Sequence, residues 1–161
     1  MTRITRRGFI RISSVSAAAL VPGVAHPQPS EKPKDYPVAT IAELKAIKVD
    51  TPIAFTYPDA SSPAILVRLK HAAAKGIGPG NAIVAFSTLC THKGCPVAYR
   101  PERALLICPC HWSSFDPAKA GQMVIGQGSE ALAQVVLRLQ GEAIQATGLE
   151  GLVYGRHTNI L

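Results

Sequence analysis

Six residues able to ligate metal or form crosslinks are crowded into two short segments, and this constrains the chain more than any other feature. All four cysteines and two of the five histidines fall within 22 residues. They lie in Cys90-Thr91-His92-Lys93-Gly94-Cys95 and Cys108-Pro109-Cys110-His111-Trp112-Ser113. Each segment follows a run with strand character and offers one cysteine and one histidine close enough to ligate, plus one further cysteine.

Three readings compete for these six residues. Two structural disulfides would suit an oxidising compartment but leave His92 and His111 without a role. A zinc site would normally use cysteine pairs two to four residues apart and histidine pairs three to five apart, and neither spacing occurs. In the third reading two thiolates hold one iron of a [2Fe-2S] cluster and two imidazoles hold the other. Cys90, His92, Cys108 and His111 supply that set, with Cys95 and Cys110 left to tie the loops together. It is the reading that uses every residue.

The two segments resemble the cluster-binding boxes of the Rieske family, C-T-H-x-G-C and C-P-C-H-x-S. The resemblance implies that Cys90 and Cys108 are thiolate ligands and His92 and His111 imidazole ligands. It further implies a disulfide between Cys95 and Cys110, with Gly94 and Pro109 at turn positions that let backbone N–H groups face the sulfurs. Replacing two anionic thiolates by neutral imidazoles eases reduction, and such centres span about −150 to +300 mV as a class. Two more residues are implied to tune the site. Ser113 can donate to a cluster sulfide, and Phe115 stands where quinol-oxidising members commonly carry a hydrogen-bonding tyrosine.

The rest of the chain reads as all-β. Strands are expected at 53–57, 64–69, 82–87, 104–108, 135–139 and 143–147, separated by Gly/Pro turns such as Gly76-Ile77-Gly78-Pro79-Gly80. Many short strands so punctuated imply an antiparallel sandwich or small barrel, here with a cluster-binding loop subdomain formed by 90–95 and 108–116. Thr40-Ile41-Ala42-Glu43 has capping-box spacing, which predicts one short helix through about Ile47. A length of 161 residues, 47% of them apolar and 17% charged, accommodates a single compact domain.

The N-terminus reads as an address. Arg6 and Arg7 precede a short apolar stretch ending at Pro22 and Gly23-Val24-Ala25, the pattern of a twin-arginine signal peptide over 1–25. The apolar run is about half of the roughly 20 residues that span a bilayer and contains three serines. The membrane is then met only through a leader left uncleaved, and the destination is an oxidising periplasm. A Pro-rich linker follows over 26–37, and the domain occupies 38–161. The formal charge of +7 is concentrated in Arg3, Arg6, Arg7 and Arg11. Beyond Ala25, 13 basic residues face 10 acidic ones, scattered singly, which argues against a nucleic-acid partner.

Among Rieske proteins, a quinol-oxidising subunit of the quinol:cytochrome c reductase type needs a lasting membrane helix. A ring-dioxygenase ferredoxin has no export signal and usually lacks counterparts of Cys95 and Cys110. Tyr57-Pro58-Asp59-Ala60-Ser61-Ser62-Pro63, Ile83-Val84-Ala85-Phe86-Ser87-Thr88-Leu89, Gly121-Gln122-Met123 and Gly151-Leu152-Val153-Tyr154-Gly155-Arg156 are similar to the small subunit of arsenite oxidase. That resemblance implies a large molybdopterin subunit with a [3Fe-4S] cluster as partner, and a cytochrome c or cupredoxin as electron acceptor. It implies no substrate site on this chain. His26, His71 and His157 lack ligand spacing and read as surface or interface residues, whereas Trp112 shields the cluster, touches a partner or simply packs.

Overall fold

A computed structural model describes residues 35–160. The signal segment with Arg6 and Arg7, His26, most of the linker and Leu161 lie outside the described residues. Ten strands follow in chain order: β1 (Ala39–Glu43), β2 (Ile53–Thr56), β3 (Pro63–Arg68), β4 (Ile83–Ser87), β5 (Ala98–Arg100), β6 (Leu105–Ile107), β7 (Ser114–Asp116), β8 (Gln122–Ile125), β9 (Gln134–Gln140) and β10 (Ala143–Glu150). They form a six-stranded sheet ordered β1-β10-β9-β4-β3-β2 and a four-stranded sheet ordered β5-β6-β7-β8. Every pairing between named strands is antiparallel.

All six strands of the larger sheet contribute to one core, from Ile41 in β1 and Phe55 in β2 to Leu66, Ala85, Val135 and Ile144. A sheet whose two edge strands share a core curls on itself, which gives the barrel of the expected pair of architectures. β3 and β4 show no in/out alternation. Four consecutive residues of β3 and all five of β4 are buried, because a second core lies on their outer face. There Ile65, Val67, Val84 and Phe86 meet Tyr99, Leu106 and Phe115 of the smaller sheet, together with Cys90 and Cys108. Burying a side chain such as Phe115 contributes about 1.5–3 kcal/mol, so this contact holds the cluster-loop sheet firmly against the barrel. Tyr99 adds a polar tie, donating to Asp50 at 2.8 Å while Lys70 lies 3.0 Å from the same carboxylate. The Tyr99 hydrogen bond, then Lys70, hold the Asp50 carboxyl below its usual range.

The short helix is one turn of 3-10 helix, Leu44–Ala46, and the capping box does not form. Thr40 and its neighbours belong to β1, with Ala39 opposite Ala146 and Thr40 opposite Gln145. Pairing with β10 satisfies the backbone of a segment rich in β-compatible residues, and it outweighs a capping arrangement that could serve only a few residues. Two further 3-10 turns lie at Pro79–Asn81 and Pro117–Lys119. Two residues of the expected linker, Tyr36 and Pro37, make contacts with the domain. The Tyr36 ring stacks on Tyr57 with centroids 6.3 Å apart, and the buried Tyr57 hydroxyl, pushed up to about 12 by desolvation, donates to the Pro37 carbonyl. Among the described residues no helix is long and apolar enough to cross a membrane.

Candidate metal centre

The two cysteine-histidine segments close in the same way. In the first, the Cys90 N–H donates to the Cys95 carbonyl at 2.9 Å and the Gly94 N–H to the Cys90 carbonyl at 2.8 Å. In the second, the Cys108 N–H donates to the Ser113 carbonyl at 2.9 Å and the Trp112 N–H to the Cys108 carbonyl at 3.0 Å. Such a tight reversal requires a left-handed residue four places after the cysteine. Gly94 supplies it at φ 71°, where an added Cβ would lie 2.8 Å from the Tyr154 ring. Trp112 occupies the matching place at φ 60° and is 71% exposed, a conformation that costs an L-residue about 1–2 kcal/mol. Pro109 lies exposed in the turn at the start of this loop, and the left-handed position falls on Trp112.

A disulfide joins Cys95 to Cys110 and so fastens the loop after β4 to the loop between β6 and β7. Cys90 and Cys108 remain free thiols, each 1% exposed. The rings of His92 and His111 face each other edge to face with centroids 4.7 Å apart, His92 half-buried and His111 exposed. The sulfurs of Cys95, Cys108 and Cys110 also lie within 4.8 Å of one another. Two of these three are bonded together and cannot act as thiolates, so the trio is no metal site.

Desolvation pushes the Cys90 thiol up, the N–H groups of His92 and Lys93 pull it back, and the adjacent Cys108 sulfur raises it further. Two buried thiols, two facing imidazoles and backbone donors aimed at a sulfur therefore fit an iron–sulfur cluster with mixed ligands, and they fit poorly with a bare apolar core.

A third segment, which sequence reasoning missed, latches both loops. The Gln127 N–H donates to Ser113 Oγ at 3.0 Å, Ser129 Oγ donates to the Thr91 carbonyl at 3.1 Å, and Thr91 Oγ1 donates to the Glu130 carbonyl at 2.9 Å. Close approach depends on Gly128, where a Cβ would come within 2.7 Å of Thr91 Oγ1 and 3.2 Å of Phe115 Cζ. Its signal in the sequence was Gly126-Gln127-Gly128-Ser129, a glycine pair with no other evident purpose. Ser113 and Phe115 are both 0% exposed, and Phe115 shares a core with Cys90 and Cys108. His71 and His157 are exposed and take no part in the centre.

Fold and site together define a β protein that holds an iron–sulfur cluster on cysteines and histidines. Residues 35–136 match the Rieske [2Fe-2S] domain family. The chain belongs to that family, whose cofactor is a single [2Fe-2S] cluster. It is 36% identical over 160 residues to the iodate reductase subunit IdrB of Denitromonas iodatirespirans, covering 97% of this chain and 86% of that one. It is 40% identical over 159 residues to IdrB of Pseudomonas sp. (strain SCT), covering 94% and 82%. The likeness to the cytochrome bc1 complex Rieske subunit of Streptomyces lividans is confined to 68 residues, or 41% of this chain. In three dimensions it is similar to the soluble domain of Rieske protein II (soxF) from Sulfolobus acidocaldarius, with a TM-score of 0.66 over 76% of this chain and 82% of that one, at 23% identity.

Proposed function

We propose that this chain is the electron-transfer subunit of an exported molybdopterin oxidoreductase of the arsenite oxidase type. In this reading Cys90 and Cys108 hold one iron and His92 and His111 the other, and the cluster carries one electron at a time. A large subunit bearing molybdenum and a [3Fe-4S] cluster oxidises arsenite, and the two electrons pass in turn through this chain to a cytochrome c or a cupredoxin. The carrying observation is a site whose four candidate ligands all come from the two loops, on a chain similar along almost its whole length to subunits of a larger oxidoreductase. The chain's own residues bury the sulfurs, orient the imidazoles through the disulfide and the latch, and leave His111 at the surface.

A second reading, iodate reduction, is favoured by the likeness to the two IdrB subunits along almost the whole chain. There the same site would deliver electrons to the large subunit rather than collect them. Purification of the native complex from periplasm decides between them. Arsenite-dependent reduction of cytochrome c, with iron and molybdenum present, supports the first; iodate-dependent oxidation of a reduced cytochrome without arsenite turnover supports the second. Iron without molybdenum or a larger partner overturns both.

A further inference from the structure

We infer that Tyr154 is a positioning residue for the metal centre: its ring, carried by the C-terminal tail, seats the first cysteine-histidine loop and keeps water from the backbone donors beside it. This role deepens the electron-transfer reading above and rests on its ligand set. The two loops are alike but not equivalent. Both put a left-handed residue four places after the buried cysteine, Gly94 at φ 71° and Trp112 at φ 60°. Since Trp112 holds that backbone with a bulky side chain, the conformation alone does not reserve position 94 for glycine. What reserves it is space. A Cβ at Gly94 would lie 2.8 Å from Tyr154 Cδ1 and 2.9 Å from Cε1, closer than real Cβ contacts come, whereas the side chain of Trp112 points into solvent.

The tail holds that ring in place. Val153, Tyr154, Gly155 and Arg156 form a tight turn, closed by the Arg156 N–H donating to the Val153 carbonyl at 3.2 Å, with Gly155 in its third place at φ 80°. Both ends of the turn are anchored. Val153 is buried and its N–H donates to Asn159 Oδ1 at 2.9 Å, while the Arg156 guanidinium donates to Asp59 at 2.7 Å. Tyr154 belongs to neither hydrophobic core and stays 39% exposed, so its contact with the loop is not a by-product of core packing. Gly94 adjoins the donors that face sulfur. The N–H groups of His92 and Lys93 act on the Cys90 sulfur, and the Gly94 N–H closes the loop onto the Cys90 carbonyl at 2.8 Å. A ring packed on this turn restrains those donors and lowers the local dielectric, which strengthens their bonds to sulfur. Such bonds favour the more negative reduced state.

The test compares the holo-protein with its Tyr154→Ala, Tyr154→Phe and Gly94→Ala variants and with Ile144→Val, a change in the barrel core. Tyr154→Ala should speed amide exchange across residues 90–95 and lower the midpoint potential. It should also shorten the lifetime of the Rieske paramagnetic signal against an iron chelator by about three- to tenfold, the range one weakened hydrogen bond accounts for. Tyr154→Phe should keep all three at wild-type values, because ring carbons make the contact. Ile144→Val should lower the melting temperature and move none of them; equal effects there would reduce Tyr154 to general stability and overturn its positioning role. Gly94→Ala should be strongly destabilising alone and much less so combined with Tyr154→Ala, where the space is free; additive costs would show that φ, not the ring, reserves the position, and would overturn the role as well. If Tyr154→Ala takes up no cluster, amide exchange of the disulfide-bonded chains without iron carries the same comparison. Wild-type exchange, potential and lifetime in Tyr154→Ala would overturn the role while leaving the ligand set intact. A wild-type protein that binds iron yet shows no Rieske signal would overturn the ligand set itself.

Discussion

His111 and Ser113 lie two residues apart, yet they are expected to act on the centre in different ways. If His111 ligates iron, His111→Ala removes a ligand outright, and the reduced protein should lose its Rieske signal in electron paramagnetic resonance; an intact signal would refute the ligand set. Ser113 is fully buried and its oxygen already accepts the Gln127 N–H, so its own proton remains free to donate towards the cluster. Hydrogen bonds to cluster sulfur stabilise the more negative reduced state. At about 1–1.5 kcal/mol per bond, and about 59 mV per tenfold for one electron, Ser113→Ala should lower the midpoint by roughly 40–60 mV in film voltammetry at fixed pH. Phe115→Tyr adds a donor in the same core and should move the midpoint the other way by tens of millivolts, roughly the same scale. Its para carbon lies close to Gly128, so the new hydroxyl has to be accommodated beside the latch.

At the level of elements, the least conspicuous segment is the C-terminal tail after β10, and its fastening is polar. Arg156 donates through two nitrogens to the Asp59 carboxylate at 2.7 and 3.1 Å and reaches Ser61 Oγ at 2.9 Å. Asn159 accepts from the Val153 N–H and donates to the Gly151 carbonyl and Tyr36 hydroxyl. Two motifs far apart in sequence are thereby joined, and the tail brings Tyr154 onto Gly94 of the first loop. Arg156, followed by Ser61, holds the Asp59 carboxyl far below its usual range. A depressed carboxylate adds stability that is fully present above its unfolded value near 4 and is lost as pH falls through the lower folded value. Asp59 is 36% exposed on its side chain, so solvent screening limits the effect to about 1 kcal/mol. Asp59→Asn should therefore lower stability by about that much at pH 7 and speed hydrogen exchange at the Val153 and Arg156 N–H groups, and the difference from wild type should vanish only well below pH 4. An exchange pattern unchanged at pH 7 would show that the clamp does not hold the tail.

For the molecule as a whole, the crosslink and the core share the task of keeping two loops in register. The disulfide spans 15 residues, and closing a loop of that size contributes about 2–3 kcal/mol through the unfolded state. Cys95→Ser should lower the melting temperature by several degrees, roughly in proportion. The Rieske spectrum should survive, because the latch and the buried thiols are intact. Loss of the spectrum would mean that the crosslink is needed for assembly itself. The export reading is tested separately: Arg6→Lys with Arg7→Lys should leave the cluster-loaded protein in the cytoplasm, and normal periplasmic delivery would remove the twin-arginine proposal.

The cluster loops were legible from sequence alone because their chemistry is local. A cysteine, a histidine and a spare cysteine within four to six residues restrict the possible sites, and β-branched runs between Gly/Pro turns identify most strands of the barrel. The strands left unseen, β1, β5, β7 and β8, are short or sit beside stronger local signals; β1 becomes a strand by pairing with the distant β10, and β5, β7 and β8 by pairing with their neighbours in the smaller sheet. Tertiary structure alone decided the rest: that the expected helix shrinks to one 3-10 turn at Leu44–Ala46 behind a paired β1, that the Gly126–Glu130 stretch latches both loops, and that Arg156 meets Asp59. These depend on groups far apart in the chain, and no pattern within a window of residues encodes the distance between them.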